Sequence, residues 1–176
     1  TGPLPPKEIE PDGFIGPKQF APRINGRQYY KNCYICGDID FIFGSATAYF
    51  ESCVIESLCL TTNVNDIQGY ITAASTPESQ EYGYVFSNCK LISKDCPPNS
   101  VYLGRPWRNY AKTVFLECAL GNHIHECGFH DWKKEDARNT VLYAEYRNYP
   151  ASSADTTSNN RSLNDDIHCI DGDRKS

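Results

Sequence analysis

Apolar and polar positions alternate along short stretches of this chain, and no long apolar stripe with a 3.6-residue period interrupts them. The stretches read as strands. Four of them align without gaps: QYYKNCYI (28–35), AYFESCVI (48–55), YVFSNCKL (84–91) and TVFLECAL (113–120). Each carries an aromatic residue three positions before a cysteine and Ile or Leu two positions after it. Cys33, Cys53, Cys89 and Cys118 share one slot, and NTVLYAEY (139–146) reads as a fifth copy without the cysteine. The copies lie 20, 36 and 29 residues apart, a fixed core with variable connections. That is the signature of stacked coils, each giving a strand of constant register while its loops vary. In YVFSNCKL, Tyr84, Phe86 and Asn88 face one way and Val85, Ser87, Cys89 and Leu91 the other. The imperfect split predicts a bulge or turn inside the segment. The pattern predicts an all-β, right-handed parallel β-helix. An antiparallel sandwich is the second choice, because it gives like residues less reason to recur in register.

Cysteine content changes the picture next. Nine cysteines is an odd number, so full pairing would leave one over. In a stacked coil a recurrent cysteine is a small apolar filler, and free thiols are expected over disulfides. Cys33 and Cys36 form a lone CxxC with no second pair at zinc-ligand spacing, so no metal site is expected. The HIH stretch at 123–125 reads as a surface loop. At 176 residues the chain suffices for one domain with a core. Its net charge of −5 argues against nucleic acid as partner. No apolar run reaches the length of a membrane span, and TGPLPPKEIEPDGF does not read as a secretion signal.

Two stretches carry candidate chemistry. GDIDFIFGSA (37–46) sets Asp38 and Asp40 among Ile39, Phe41, Ile42 and Phe43. On a regular strand the two carboxylates would share one face, about 6.5–7 Å apart. A carboxylate beside aromatics is costly unless hydrogen-bonded or paired with a cation. VYLGRPWRN (101–109) is the second stretch, with Tyr102, Arg105, Trp107 and Arg108 around Gly104 and Pro106. Pro106 pushes Arg105 toward extended backbone, and a guanidinium can hold a carboxylate with two parallel bonds. An exposed Trp107 and Tyr102 beside it suit the apolar face of a sugar ring. A solvated outer strand face and an ordinary turn under a Trp lid are the plainer alternatives.

GDIDFIFG, then VYLGRPW, then GFHDW (128–132), in that order, resemble the pectin methylesterase family. GRQYYKNCYI, YITAAS (70–75) and LYAEYRNY (142–149) extend the similarity to roughly residues 26–149. The resemblance implies a parallel β-helix that hydrolyses the C6 methyl esters of homogalacturonan to pectate and methanol without a metal or organic cofactor. It implies Asp40 as nucleophile and Arg105 as the residue orienting it. Trp107, Tyr102, Phe43 and Trp132 fall where the family lines its substrate cleft, and Gln19 matches an oxyanion donor. It also implies an extracellular, cell-wall site of action.

The chain departs from the family pattern in two places. The residue after Gln19 is Phe20, where the family has its acid/base Asp, and Phe cannot move a proton. The family's catalytic domain also has several coils ahead of this point. Residues 1–25 read instead as an irregular Pro/Gly-rich segment, residues 26–149 as the β-helix and residues 150–176 as a polar loop and tail. The β-helix is thus expected to lack its N-terminal turns. An open end calls for cover by a preceding segment or a partner, and a proteinaceous inhibitor is a further candidate partner. Three functional readings result. One is an active methylesterase. Another is a catalytically impaired relative that binds pectin or a protein through the Arg105–Trp107 surface. The third is a pectin-cleaving hydrolase or lyase. The last would need two carboxylates poised across a glycosidic bond, and LGRPW gives it little support.

Overall fold

A computed structural model describes residues 26–59 and 66–151. Thirteen strands follow one another as β1 (Arg27–Lys31), β2 (Tyr34–Gly37), β3 (Ile39–Gly44), β4 (Thr47–Glu51), β5 (Val54–Ser57), β6 (Gly69–Ala74), β7 (Tyr84–Ser87), β8 (Lys90–Ile92), β9 (Val101–Gly104), β10 (Lys112–Leu116), β11 (Ala119–Leu120), β12 (Leu142–Tyr146) and β13 (Tyr149–Pro150). A 3₁₀ turn at Glu135–Asn139 is the one helical element among the described residues. All pairings between the strands are parallel. Three sheets result, ordered β1-β4-β7-β10-β12, β2-β5-β8-β11-β13 and β3-β6-β9. Up to β11 every third strand returns to the same sheet one coil further on; in the next coil isolated bridges at Ile124 and Phe129 stand in for the third strand, so β12 and β13 follow two places after β10 and β11. This is the parallel β-helix expected from the repeats.

The repeat alignment is the physical register. Gln28 pairs with Ala48, Ala48 with Tyr84, and Tyr84 with Thr113, so the four quoted segments stack residue on residue. Tyr30, Phe50, Phe86 and Phe115 form a column of parallel rings, with centroids 4.7, 4.4 and 4.4 Å apart. Ile35, Ile55, Leu91 and Leu120 form a second column. Between them the chain turns a corner. The residue before each cysteine slot has left-handed backbone: Asn32, Ser52, Asn88, Glu117 and Arg147, with φ from 49° to 56°. This repeated corner is the turn that the imperfect alternation of YVFSNCKL foretold. It returns both the aromatic and the cysteine to the interior. Asn accepts left-handed φ readily, and the other side chains adopt it at a cost.

The fifth copy is shifted by four residues from its sequence alignment. Thr113 pairs with Tyr143, not Asn139, and Phe115 with Glu145. The cysteine slot then falls on Asn148, whose Oδ1 accepts the Cys118 N–H at 2.9 Å while its Nδ2 donates to Glu145 Oε2 at 3.0 Å. A polar pair thus closes the column that aromatics and thiols fill elsewhere. β13 runs to Pro150, one residue into the segment set apart as the tail. The N-terminal segment 1–25 and the tail beyond 151 lie outside the described residues.

The four ladder cysteines carry free thiols, and each upper one donates to the carbonyl of the aromatic one coil away: Cys53 to Tyr30, Cys89 to Phe50 and Cys118 to Phe86. The expectation of free thiols fails elsewhere. Cys59 and Cys96 form a disulfide between the loops after β5 and β8. Neither belongs to the repeat, so neither has a fixed place in the interior, and neighbouring loops bring them together. The bond closes a separation of 37 residues, and its reduction is expected to lower the unfolding free energy by about 2–4 kcal/mol. Urea midpoints with and without reductant, and for the Cys59→Ser, Cys96→Ser pair, measure it.

HIH is not a surface loop. His123 is 1% exposed, and neither ring nitrogen has a hydrogen-bond partner among the described residues. Burial pulls its pKa from 6.5 down to about 4. The unfolded chain therefore takes up a proton near pH 6.5 that the folded chain refuses until about pH 4. Stability falls across that interval as pH drops, by about 3 kcal/mol in total. His123→Leu is expected to flatten the change in urea midpoint between pH 7 and pH 4.5. An unchanged slope in the variant would place the acid sensitivity elsewhere.

Candidate active site

The face of the β3-β6-β9 sheet carries the candidate chemistry. β3 starts in register and then slips: Ile39 pairs with Tyr70 and Ile42 with Thr72, three steps along β3 against two along β6. The extra residue is a bulge. Asp40 sits in it with φ of 53°, a left-handed conformation that costs about 1 kcal/mol and that Asp tolerates better than most residues. The expected common face for Asp38 and Asp40 is therefore wrong. Asp38 lies in the bend before β3 and turns its Oδ1 back to accept the Ile39 N–H at 2.7 Å. The bulge breaks the two-residue alternation and re-aims Asp40 alone.

Arg105 leaves the end of β9 with its N–H donating to Thr72 O at 3.0 Å. Its guanidinium meets Asp40 as a two-pronged fork, Nε to Oδ1 at 2.9 Å and Nη2 to Oδ2 at 2.6 Å. The two side chains are 15% and 23% exposed, dry enough to strengthen the pair yet open on one side. The guanidinium carbon lies 3.9 Å from the Tyr70 ring centroid and 4.0 Å from that of Trp132. Two aromatic faces thus fix the plane of the fork, each contact contributing about 1 kcal/mol. Burial pushes the Tyr70 hydroxyl pKa up. Gly104 is required beside the arginine, since a Cβ there would stand 2.0 Å from Thr72 Oγ1.

The remaining sequence-predicted residues divide. Phe43 and Trp107 meet with centroids 5.2 Å apart, both partly exposed, beside the ion pair. Trp107 is held from beneath by its N–H donating to Ala74 O at 3.0 Å. Trp132, a minor member of the sequence-derived set, is in direct contact with Arg105. Tyr102 is 3% exposed, contrary to the open ring expected of it. Its register partner Tyr70 stacks over it at 5.6 Å and His125 at 4.2 Å, with His130 edge-on at 5.1 Å. Gln19 and Phe20 lie outside the described residues.

Tyr70, His125 and His130 were missed in the sequence. The signal for Tyr70 was present: YIT and YLG align as neighbouring strands, so the tyrosine before Arg105 implies one beneath it. The Trp132 turn was not readable. Trp132 and Lys133 both have left-handed backbone, φ 54° and 55°. His130 Nδ1 accepts the Trp132 N–H at 2.9 Å, and Asp131 Oδ1 accepts the Lys133 N–H at 2.7 Å. Burial alone would raise the Asp131 carboxyl pKa, but the Lys133 N–H and the Arg138 guanidinium outweigh it and hold it below the usual range.

A half-buried carboxylate clamped by an arginine, with indole, phenyl and phenol rings around it, is suited to meet an electrophilic carbon on a ring-shaped substrate. Comparison with known proteins bears on the chemistry. The family model for pectinesterases matches residues 23–170. A probable pectinesterase/pectinesterase inhibitor of Arabidopsis thaliana is 40% identical over 139 residues, 75% of this chain and 22% of that protein. A crystal structure of pectin methylesterase in complex with a hexasaccharide is 32% identical and superposes with a TM-score of 0.62, covering 77% of this chain and 46% of that one. Pectin methylesterase from carrot gives 31% and 0.64, with 72% and 41% covered. The chain thus spans less than half the length of each of these relatives. Motif order, coil register and the match over most of its length agree: the chain belongs to the pectinesterase family.

Proposed function

We propose that this chain hydrolyses the C6 methyl esters of homogalacturonan, giving pectate and methanol, with Asp40 as nucleophile. The bidentate Asp40–Arg105 pair carries the reading. Each carboxylate oxygen keeps a lone pair beyond the one Arg105 uses. One of them attacks the ester carbonyl carbon, the carbon–methoxyl bond breaks, and an acyl-enzyme anhydride forms. The departing methoxide takes a proton and leaves as methanol. Water then adds to the anhydride and restores the Asp40 carboxylate. Arg105 keeps one orientation of the carboxylate throughout, so no rotamer search precedes attack. Phe43, Trp107 and Trp132 offer apolar surface to the pyranose rings. Gln19 is the proposed amide donor to the tetrahedral oxyanion.

Such a reaction also needs a group that protonates methoxide and then deprotonates water, and Phe20 stands where the family has its carboxylic acid. That observation favours a second reading, a relative that binds pectin, or a protein, through the same aromatic surface without turnover. The family relative from Arabidopsis whose name includes a pectinesterase inhibitor makes a proteinaceous inhibitor a reasonable partner for this surface too. The proposed site of action is the cell wall. No helix of the described residues is long and apolar enough to cross a membrane. Methanol release from highly methylated pectin, measured beside pectin binding, separates the readings. Turnover is the expected result, and binding without methanol selects the second.

A further inference from the structure

The Arg105 fork depends on two turns, residues 105–108 and residues 130–134, and one side chain joins them. Lys134 Nζ donates to Pro106 O at 3.1 Å and to Trp107 O at 2.7 Å. The same ammonium stands 4.8 Å from the Trp132 ring centroid. The first turn is fixed from below, where the Trp107 and Arg108 N–H groups both point at Ala74 O, at 3.0 and 3.4 Å. Its two upward carbonyls are satisfied by Lys134. The second turn holds two consecutive left-handed residues, a strained arrangement of about 1 kcal/mol each or more, secured by the His130 and Asp131 side chains. Burial, then Arg108 and Arg105, depress the Lys134 pKa, so its charge is placed among like charges rather than facing a carboxylate. A lysine in such a place is held for its donors.

We propose that Lys134 is a positioning residue that clasps the Pro106–Trp107 carbonyls to the Trp132 turn and so fixes both indoles about the Asp40–Arg105 pair. The catalytic part of this statement rests on the esterase reading, whereas the geometric part does not. The chain's two tryptophans are Trp107 and Trp132, so indole fluorescence reports on these two turns and nothing else. In the full chain, Lys134→Met is expected to raise acrylamide quenching of the tryptophans about twofold. It is also expected to lower kcat for methanol release about tenfold, with KM moving far less, because misplacing a preorganised pair costs rate rather than ground-state binding. Lys134→Arg, which retains paired donors, is expected to restore most of both. Lys90→Met removes an exposed lysine charge on β8, outside both turns, and is expected to leave both unchanged. Lys134→Gln, a milder change, gives the same reading should the Met variant fold poorly. Unaltered quenching in Lys134→Met and Lys134→Gln overturns the proposal, as does an equal effect from Lys90→Met. If the unmodified chain releases no methanol, the esterase reading fails, and the quenching comparison still decides the clasp.

Discussion

Asp40→Asn is expected to reduce methanol release by 10³-fold or more, on the order seen when a covalent nucleophile is removed. The substitution keeps the shape of the side chain and removes its charge. An amide oxygen is a poor nucleophile, and the Arg105 fork loses one of its two charge-assisted bonds because the amide nitrogen cannot accept. Folding is expected to survive. The guanidinium is left without a carboxylate but still lies between Tyr70 and Trp132 and is 15% exposed, so the loss of stability is about 1–2 kcal/mol. Affinity for pectin is expected to stay within a few-fold, since the aromatic rings remain. The check is initial methanol release and pectin binding on the same preparations, with urea midpoints alongside. Release by the variant within tenfold of the unmodified chain would remove Asp40 from the chemistry and with it the proposed mechanism.

The largest expected loss of stability comes from Phe86→Ala, at about 3–5 kcal/mol. Phe86 is fully buried and stacked on both faces, against Phe50 and Phe115, each 4.4 Å away and 6° from parallel. Truncation opens a hole between two coils whose spacing is set by the hydrogen-bonded ladders on either side, so the gap cannot close by a local shift. The melting temperature is expected to fall by roughly 10 °C. Tyr30 occupies the same column, is half-buried, and among the described residues has a ring partner on one side only, at 4.7 Å. Tyr30→Ala should therefore cost about 1–2 kcal/mol. Equal losses at the two positions in denaturant titrations would show that the column does not act as a stack.

The coil register was legible because one slot recurs. Cysteine three places beyond an aromatic lines up Gln28, Ala48, Tyr84 and Thr113 in the sequence itself. The same reading went astray at the fifth coil, where Glu145 and Asn148 replace the apolar pair and leave nothing to align on. It also missed the Cys59–Cys96 bond, since pairing between loops of neighbouring coils leaves no mark on a strand pattern. At the candidate site, a carboxylate among aromatics and an arginine before a proline were visible as separate oddities. Their meeting was suggested by resemblance and not by spacing, because 65 residues separate them. The bulge that turns Asp40 away from Asp38 was hidden. It depends on one residue accepting φ of 53° inside an otherwise regular strand. The Tyr70–Arg105–Trp132 sandwich was hidden for a similar reason: the Trp132 turn is held by side-chain acceptors that read as ordinary polar residues.

Asp40 belongs to β3 and Arg105 to the end of β9, and β6 runs between them. The fork therefore bridges the first and third described coils, and Tyr70 of the middle coil serves as its washer. This makes the ion pair a gauge of pitch. Two interstrand spacings, about 9.5 Å, are what the arginine must reach across, in an architecture where each coil touches only its nearest neighbours. A change of spacing or a shear between the coils at this face therefore changes the distance from the two prongs to the carboxylate, so the geometry of the pair follows that of the coils.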